Sequence, residues 1–458
     1  CVSGSAMSTT APVPSVLLDQ IARLLPDFLA HQRWFARPPE PIEPGPRAVL
    51  VVESATLESG WPGLVWLVIE AGGARYQVLV GMRPLVQGEE AMAGQDWAVL
   101  GSVEIDGTPV MAYDATADHE LALGMARLAG VNDPFTRVRL VGAEQSNTSL
   151  VFDDAVILKL YRRVETGPNP DVEVTMGLDA VGFNHVAAPR GAWNRLGYDL
   201  AIAQEFLAGG SEGWALALTS LRDMYQSGLQ PENAGGDFGA EARRLGNMTA
   251  RMHLGLAKAF GTEEVDRHRW LDEVSSGISA LERLSPESHL DRHGFDSILD
   301  EARMGIESCS VTCRVHGDYH LGQTMRTEVG WFVLDFEGEP LRSLHDRRAR
   351  RSPLRDVAGM LRSFHYAAIS ALDGRQKLGN LALSWELRNR ECFLRGYLST
   401  PGIDELVSGE PDAVLVVLRA FELGKAAYEL AYEKAYRPDW SHIPLDALER
   451  LAAPSRAL

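Results

Sequence analysis

The segment Val315-His316-Gly317-Asp318-Tyr319-His320-Leu321-Gly322-Gln323 is followed, twelve residues past the glutamine, by Asp335-Phe336-Glu337. An apolar run precedes each half, Thr312 to Val315 and Trp331 to Leu334, so both carboxylates are expected at strand ends. Two such strands returning as a hairpin around a polar loop would gather Asp318 and Asp335 about one pair of cations. Phosphoryl transfer asks for little else: a base beside the attacking hydroxyl and divalent cations bridging the phosphate oxygens. Asp318 supplies the base. Gln323 offers a neutral oxygen and Asp335 an anionic one, and Mg2+ takes one or two protein oxygens besides phosphate and water. The pattern predicts an ATP-dependent phosphotransferase, whereas either fragment alone would suit a buried turn or a plain strand end.

The runs His316-Gly317-Asp318-x-His320-x-Gly322-Gln323, Leu334 to Pro340 and Ser352 to Phe364 resemble those of the maltokinases, a branch of the aminoglycoside-phosphotransferase and protein-kinase-like fold. The resemblance covers nearly the whole chain. It implies an α+β, bilobal kinase-like fold with an N-terminal α+β cap opened by His31-Gln32-Arg33-Trp34-Phe35. It also implies a phosphate-covering loop at Glu144-Gln145-Ser146-Asn147-Thr148-Ser149 and an ATP lysine at Lys159, within Ile157 to Arg163. These residues make physical sense by themselves. The loop is rich in hydroxyls and amides that reach phosphate, and no Walker A loop occurs. Lys159 interrupts an apolar strand, Ala155 to Leu160, where a cation is costly unless an anion meets it. Glu173, at the start of the next helix, is the expected partner, with Asp171 as the competing anion.

The 458 residues, 45% of them apolar, suffice for two or three cores. A net charge of −18 and no basic stripe argue against a nucleic-acid partner. No apolar run approaches the ~20 residues of a membrane span. Four cysteines are too few for a disulfide framework and no secretory signal is visible, which points to the cytoplasm. Residues 1–6, ahead of Met7, read as a leading remnant.

Three regions are expected: a cap over 7–133, an ATP-binding lobe of sheet plus one helix over 134–207, and a mainly helical lobe over 208–458. Cap strands are read at 48–53, 65–69, 76–80 and 109–113, after a helix over 15–31 and a Pro-rich linker, Pro38 to Pro46. The stretch Gly101 to Asp133 is shorter than in the family. The ATP lobe shows strands near 138–143, 149–152, 155–160, 187–192 and 198–205, ending at Gln204-Glu205-Phe206-Leu207 before a glycine pair, which suits a hinge where the backbone of Glu205 and Leu207 holds adenine as well as an ordinary interlobe linker. Helical spacing marks 216–227, 237–260, 270–284, 295–308, 354–372, 381–398 and 413–437.

On the last long helix Lys425, Tyr428, Glu429 and Tyr432 fall at i, i+3, i+4 and i+7 and share one face, which suits sugar hydroxyls as well as a solvated helix surface. The run Lys425 to Trp440 is similar to the maltokinase pattern KAxYExxYExxxRPxW. That resemblance implies that Glu429 and Arg437 contact maltose and that the product is maltose 1-phosphate, a step toward α-glucan synthesis. His365 and Ile369 stand where the family frequently carries an acid and a tyrosine. His316, His320, Arg355 and Asp356 read as supports of the catalytic loop. A kinase for another small sugar, such as glucosamine phosphorylated to the 6-phosphate, is the alternative. A non-catalytic kinase-fold protein is disfavoured because Lys159, Asp318, Gln323 and Asp335 are all present. The oligomeric state leaves no mark in the sequence.

Overall fold

The apolar spacing of three and four near the start of the chain folds in the computed structural model as α1 (Ser15–Ala30), which buries Leu17, Ile21, Leu25, Phe28 and Leu29. The structure describes residues 11–35, 49–141, 147–264, 271, 274–275, 277–279, 291–305, 311–339, 342–372, 374–409 and 411–453. The Pro-rich linker and most of the helix expected over 270–284 lie outside them. The chain divides into two units, residues 1–172 with 188–208 and residues 173–187 with 209–458.

In the first unit, α1 is followed by β1 (Leu50–Glu58), β2 (Gly63–Ala71), β3 (Ala74–Pro84), α2 (Leu85–Ala91), β4 (Val99–Ile105), β5 (Thr108–Asp114) and α3 (His119–Met125). The strands form an antiparallel sheet in the order β1-β2-β3-β5-β4. β4 escapes a reading by alternation because its register slips between Val99 and Gly101. Gly101 has φ +148° there, and Leu24 of α1 packs so near that a Cβ would meet it at 2.9 Å. A second antiparallel sheet follows, with β6 (Val138–Val141), β7 (Asn147–Phe152), β8 (Val156–Tyr161), β10 (Pro189–Arg195) and β11 (Tyr198–Glu205) in the order β10-β11-β8-β7-β6. Between β8 and β10 lie β9 (Arg163–Val164), which pairs with β3, and α4 (Pro170–Ala180).

Buried polar groups fasten these two sheets to each other. Gln77 of β3 donates to the carbonyls of Tyr161 at 2.9 Å and Leu200 at 3.0 Å, while its own oxygen accepts from Trp66 Nε1 at 3.2 Å. Arg162, 1% exposed, reaches Asp114 Oδ2 at 2.7 Å and Thr148 Oγ1 at 2.8 Å, with Trp34 stacked at 4.8 Å. An apolar core would tolerate neither group unpaired.

The second unit carries β12 (Ser211–Glu212), α5 (Gly213–Ser227), α6 (Gly239–Phe260), β13 (Glu263–Glu264), α7 (Arg292–Gly305), β14 (Val311–Thr312), β15 (Thr324–Thr327), β16 (Gly330–Val333), α8 (Leu344–Arg348), α9 (Leu354–Ser370), α10 (Gly379–Leu398), α11 (Pro411–Tyr436) and α12 (His442–Ala452). One core joins α5, α6, α9, α10 and the β16 hairpin through Leu221, Met252, Leu361, Trp385 and Trp331; another joins α7, α11 and α12 through Phe295, Leu423 and Leu448. The α6 and α10 backbones nearly touch. A Cβ on Gly246 would lie 2.0 Å from the Phe393 carbonyl, and one on Gly396 would lie 2.1 Å from that of Arg243.

The hairpin expected between Thr312 to Val315 and Trp331 to Leu334 takes another form. Only Val311 and Thr312 are strand, and they pair with Glu263 and Glu264. The partner of β16 is β15, with Thr324 opposite Val333. β15 was unrecognised because Thr324-Met325-Arg326-Thr327 mixes polar and apolar residues without a clear alternation.

Asp114→Ala would leave the Arg162 guanidinium buried without its counter-ion. We expect a loss of about 3–5 kcal/mol of stability, read as a lowered denaturation midpoint, with Asp114→Asn costing less because it still accepts a hydrogen bond.

Candidate active site

The loop from Arg314 to Gln323 crosses the second unit against α9 and α6, and one carboxylate sets its path. Asp356, in the first turn of α9 and 1% exposed, accepts from His316 N at 2.7 Å and Gly317 N at 2.9 Å. Its Oδ2 also meets His253 Nε2 at 3.1 Å, and His253 Nδ1 meets Tyr397 OH at 2.8 Å. Burial alone would push the Asp356 carboxyl up. His253, His316 and the Gly317 amide outweigh it and hold the group below the ordinary carboxylate range. Ser363 of α9 accepts from Leu321 N at 3.0 Å, and Tyr319 OH meets Thr249 Oγ1 of α6 at 2.8 Å. Gly359 allows α9 this close, since a Cβ there would sit 2.6 Å from the Tyr319 carbonyl.

Both histidines do the orienting work expected of them. His316 Nε2 bonds the Leu334 carbonyl at 2.8 Å, tying the loop that bears Asp318 to the segment between β16 and Asp335. His320 Nδ1 accepts from Gly322 N at 3.1 Å, which fixes its tautomer as Nε2–H. Burial holds the His320 imidazole below its usual range despite Asp318, with Lys425 and His316 acting in the same direction as burial, so it is neutral at pH 7.

Gln323 and Asp335 come together although the hairpin intervenes, because Leu334 N bonds the Gln323 carbonyl at 2.9 Å. Gln323 Nε2 donates to Asp335 Oδ2 at 2.9 Å. The amide nitrogen is thus occupied, so Oε1 is the atom of Gln323 that would meet a cation beside the carboxylate. An all-oxygen pair fits Mg2+. Asp335 adopts φ +61°, a left-handed conformation that aspartate tolerates better than most residues and that marks a backbone held by its surroundings.

Facing Asp318 is a pocket of about 440 Å³ whose far wall is α11. Lys425, Tyr428, Glu429 and Tyr432 all line it, as their shared helical face predicts, together with Arg437 beyond the helix end. Glu429 accepts from Arg362 Nε at 2.9 Å. Arg437 Nη2 donates to Glu433 at 2.6 Å and stacks over Tyr432 and Trp440, 5.6 and 5.3 Å from their ring centres. The Lys425 ammonium also meets Glu339 at 3.0 Å and Asp318 at 3.4 Å. Arg355 lies 3.6 Å from that same Glu339.

The sequence reading missed several wall residues. Glu433, 2% exposed, uses Oε1 for Arg437 and Tyr366 OH, while Oε2 meets no donor among the described residues. Its position four residues after Glu429 was the available signal. Trp440 stacks on Tyr366 at 6.4 Å. Glu212, on the two-residue β12, has no signature in the sequence at all. Burial pushes its carboxyl up, and no cation among the described residues pairs with it.

On the first unit, Lys159 lies in β8 between β11 and β7, which rules out an edge-strand lysine in solvent. Its Nζ bonds Asp171 Oδ2 at 3.0 Å, and Tyr161 OH bonds the same oxygen at 2.9 Å. The expected Lys159–Glu173 pair is therefore corrected in favour of the competing anion. Glu173, two residues along α4, is held by Arg348 at 2.6 and 3.0 Å and by Arg314 at 3.1 Å in the second unit. These outweigh burial and hold its carboxyl low. Ser146 lies outside the described residues. Asn147, Thr148 and Ser149 are buried strand residues of β7 rather than loop, because the β7–β8 ladder begins at Asn147 opposite Tyr161. Thr148 is moreover taken by Arg162. Glu205 ends β11, with its amide on the Ala188 carbonyl at 2.8 Å, and Leu207 follows within three residues of the unit boundary.

Asp356→Asn removes the charge that binds His253 and both loop amides. We expect a cost of about 3 kcal/mol near pH 7 and a fall in turnover. Since the folded Asp356 carboxyl lies below its ordinary value, its contribution is complete above about pH 4 and fades as pH falls through the folded value, so wild type and variant should converge in acid unfolding.

Residues 28–118 match the maltokinase N-terminal cap domain. A glucosamine kinase of Streptacidiphilus jiangxiensis is 25% identical over 361 residues, 72% of this chain and 80% of that one. Another, from Mycolicibacterium smegmatis, is 24% identical over 331 residues, 68% and 79% of the two chains. A solved glucosamine kinase in complex with glucosamine, ADP and inorganic phosphate superposes with TM-score 0.60 at 20% identity, covering 94% of this chain and 99% of that one. No helix among the described residues is long and apolar enough to cross a membrane. The chain thus carries a cap of the maltokinase type over residues 28–118 and shares the kinase-like α+β fold of the solved glucosamine kinase.

Proposed function

We propose that this protein transfers the γ-phosphoryl group of ATP to a small sugar bound between Asp318 and α11. The observation that carries the reading is the pocket itself, with a carboxylate on the HGD loop at one wall and the charged and aromatic face of α11 at the other. Asp318 accepts the proton of the sugar hydroxyl, the freed oxygen pair bonds to the γ-phosphorus, and the bond to the β-γ bridging oxygen breaks with its electron pair leaving on ADP. His320, neutral, offers its Nε2 hydrogen to a sugar oxygen. Gln323 and Asp335 would hold Mg2+, which when bound neutralises phosphate charge. Lys159 is assigned to the phosphates, Glu205 and Leu207 to adenine.

Charge balance in the pocket favours an amino sugar, glucosamine, phosphorylated on its primary hydroxyl to the 6-phosphate. Asp318 has Lys425, Glu429 has Arg362 and Glu433 has Arg437, which leaves Glu212 as the surplus carboxylate. A cationic amine satisfies it, and the glucosamine kinase relatives support that choice. Maltose, giving maltose 1-phosphate and feeding α-glucan synthesis, is the second reading, favoured by the cap match and by the Lys425 to Trp440 run.

Glucosamine, glucose and maltose are each incubated with ATP and magnesium, with product followed by phosphorus NMR and ADP release. Glucosamine 6-phosphate is expected. Maltose 1-phosphate would transfer the assignment to the second reading, and no phosphosugar from any of them would overturn both. Glu212→Gln should raise the KM for glucosamine about tenfold, the loss of one charge-assisted contact, and leave neutral sugars unaffected.

A further inference from the structure

Glu339 lies four residues beyond Asp335 and is 3% exposed, yet it neither faces the sugar pocket nor belongs to the cation pair. Three cations converge on it. Lys425 Nζ is 3.0 Å away, Arg355 is 3.6 Å away, and Arg342 donates from Nε. Burial alone would raise the Glu339 carboxyl; Lys425, Arg355 and Arg342 hold it at about 2 instead. Lys425 in turn has its ammonium pushed up by Glu339 and Asp318 against burial, and one fifth of its side chain is exposed. A partly buried lysine shared by two carboxylates is a fixed charge rather than a mobile sugar ligand. Tyr428, with its ring 5.1 Å from Lys425 Nζ, confines it further.

We propose that Lys425 is a positioning residue for Asp318 and that Glu339 holds Lys425 in place, so that Glu339, Lys425 and Asp318 form one charge-coupled chain from the Asp335 loop through α11 to the base. The inference rests on the reading of Asp318 as the base. Glu339 fixes where the ammonium sits. The ammonium then holds Asp318 Oδ1 at one position, leaving the other oxygen to meet the sugar hydroxyl. The 3.4 Å contact is long for a hydrogen bond of full strength, so the cation orients the carboxylate without quenching its basicity. Because Glu339 shares its loop with Asp335, the chain also sets the cation-binding carboxylate and the base in one frame. Sugar recognition is left to Glu212, His320, Glu429, Glu433, Arg437 and the aromatic wall.

The test is steady-state kinetics on Glu339→Gln, Lys425→Met and the double variant, with melting temperatures recorded alongside. Glu339→Gln should lower kcat about 10- to 100-fold, the cost of a misplaced base, while KM for sugar and for ATP stays within about twofold. The double variant should lose no more than Lys425→Met alone. Should Glu339→Gln fail to fold, Lys425→Gln, which leaves Glu339 with Arg342 and Arg355, carries the same expectation. A rise in sugar KM at unchanged kcat in the Lys425 variants would make Lys425 a sugar ligand and overturn the proposal, as would additive losses. Repeating Glu339→Gln in an Asp318→Asn background separates the premise from the inference. Full turnover in Asp318→Asn itself would remove the base reading. An undiminished penalty from Glu339→Gln on top of a slow Asp318→Asn would show that Glu339 acts by another route.

Discussion

A single buried carboxylate, Asp356, carries the geometry of the site. It gathers the amides of His316 and Gly317 and the imidazole of His253, so a turn of α9 dictates where the chain leaves for Asp318. Fully buried carboxylates are costly unless each lone pair is met, and here the donors come from a loop and from α6. Removing the charge would release three elements together. The interaction thus ties an irregular loop to the helices beneath it, which a base that must stay within hydrogen-bond reach of a hydroxyl requires.

From that anchor the polar connections run outward. His316 carries the restraint to Leu334, Leu334 meets Gln323, and Gln323 meets Asp335, whose left-handed backbone is stabilised by this surrounding frame. Glu339 and Lys425 then join the same loop to α11. The first unit has its own counterpart in Arg162 and Gln77, which fasten the cap sheet to the sheet that bears Lys159. In both units buried polar groups specify the arrangement, while apolar packing supplies most of the stability.

What the sequence made legible followed from periodicity and fixed spacing. Helices α5, α6, α7, α9, α10 and α11, the strands of the second sheet and the shared face of Lys425, Tyr428, Glu429 and Tyr432 all have periods that a single element imposes, whereas α8 and α12 were not read. Asp318, Gln323 and Asp335 were found because their offsets are local. The pairings were not legible, since they depend on which elements meet in space. The alternation of β8 exposed Lys159 as anomalous but could not choose between Asp171 and Glu173, two residues apart. Glu212 sits on a strand of two residues, and Glu339 reads as an ordinary turn acid after Gly338. β4 was hidden by the bulge at Gly101. Thr148 looked like a phosphate loop residue because a hydroxyl serves a phosphate and a buried guanidinium equally well.

A crystal structure of the protein with bound glucosamine tests the central claim most directly. The account predicts a sugar in the pocket under α11, with its primary hydroxyl about 3 Å from the Asp318 carboxylate and its amine toward Glu212. A sugar bound elsewhere, or in this pocket with every hydroxyl turned away from Asp318, would contradict it.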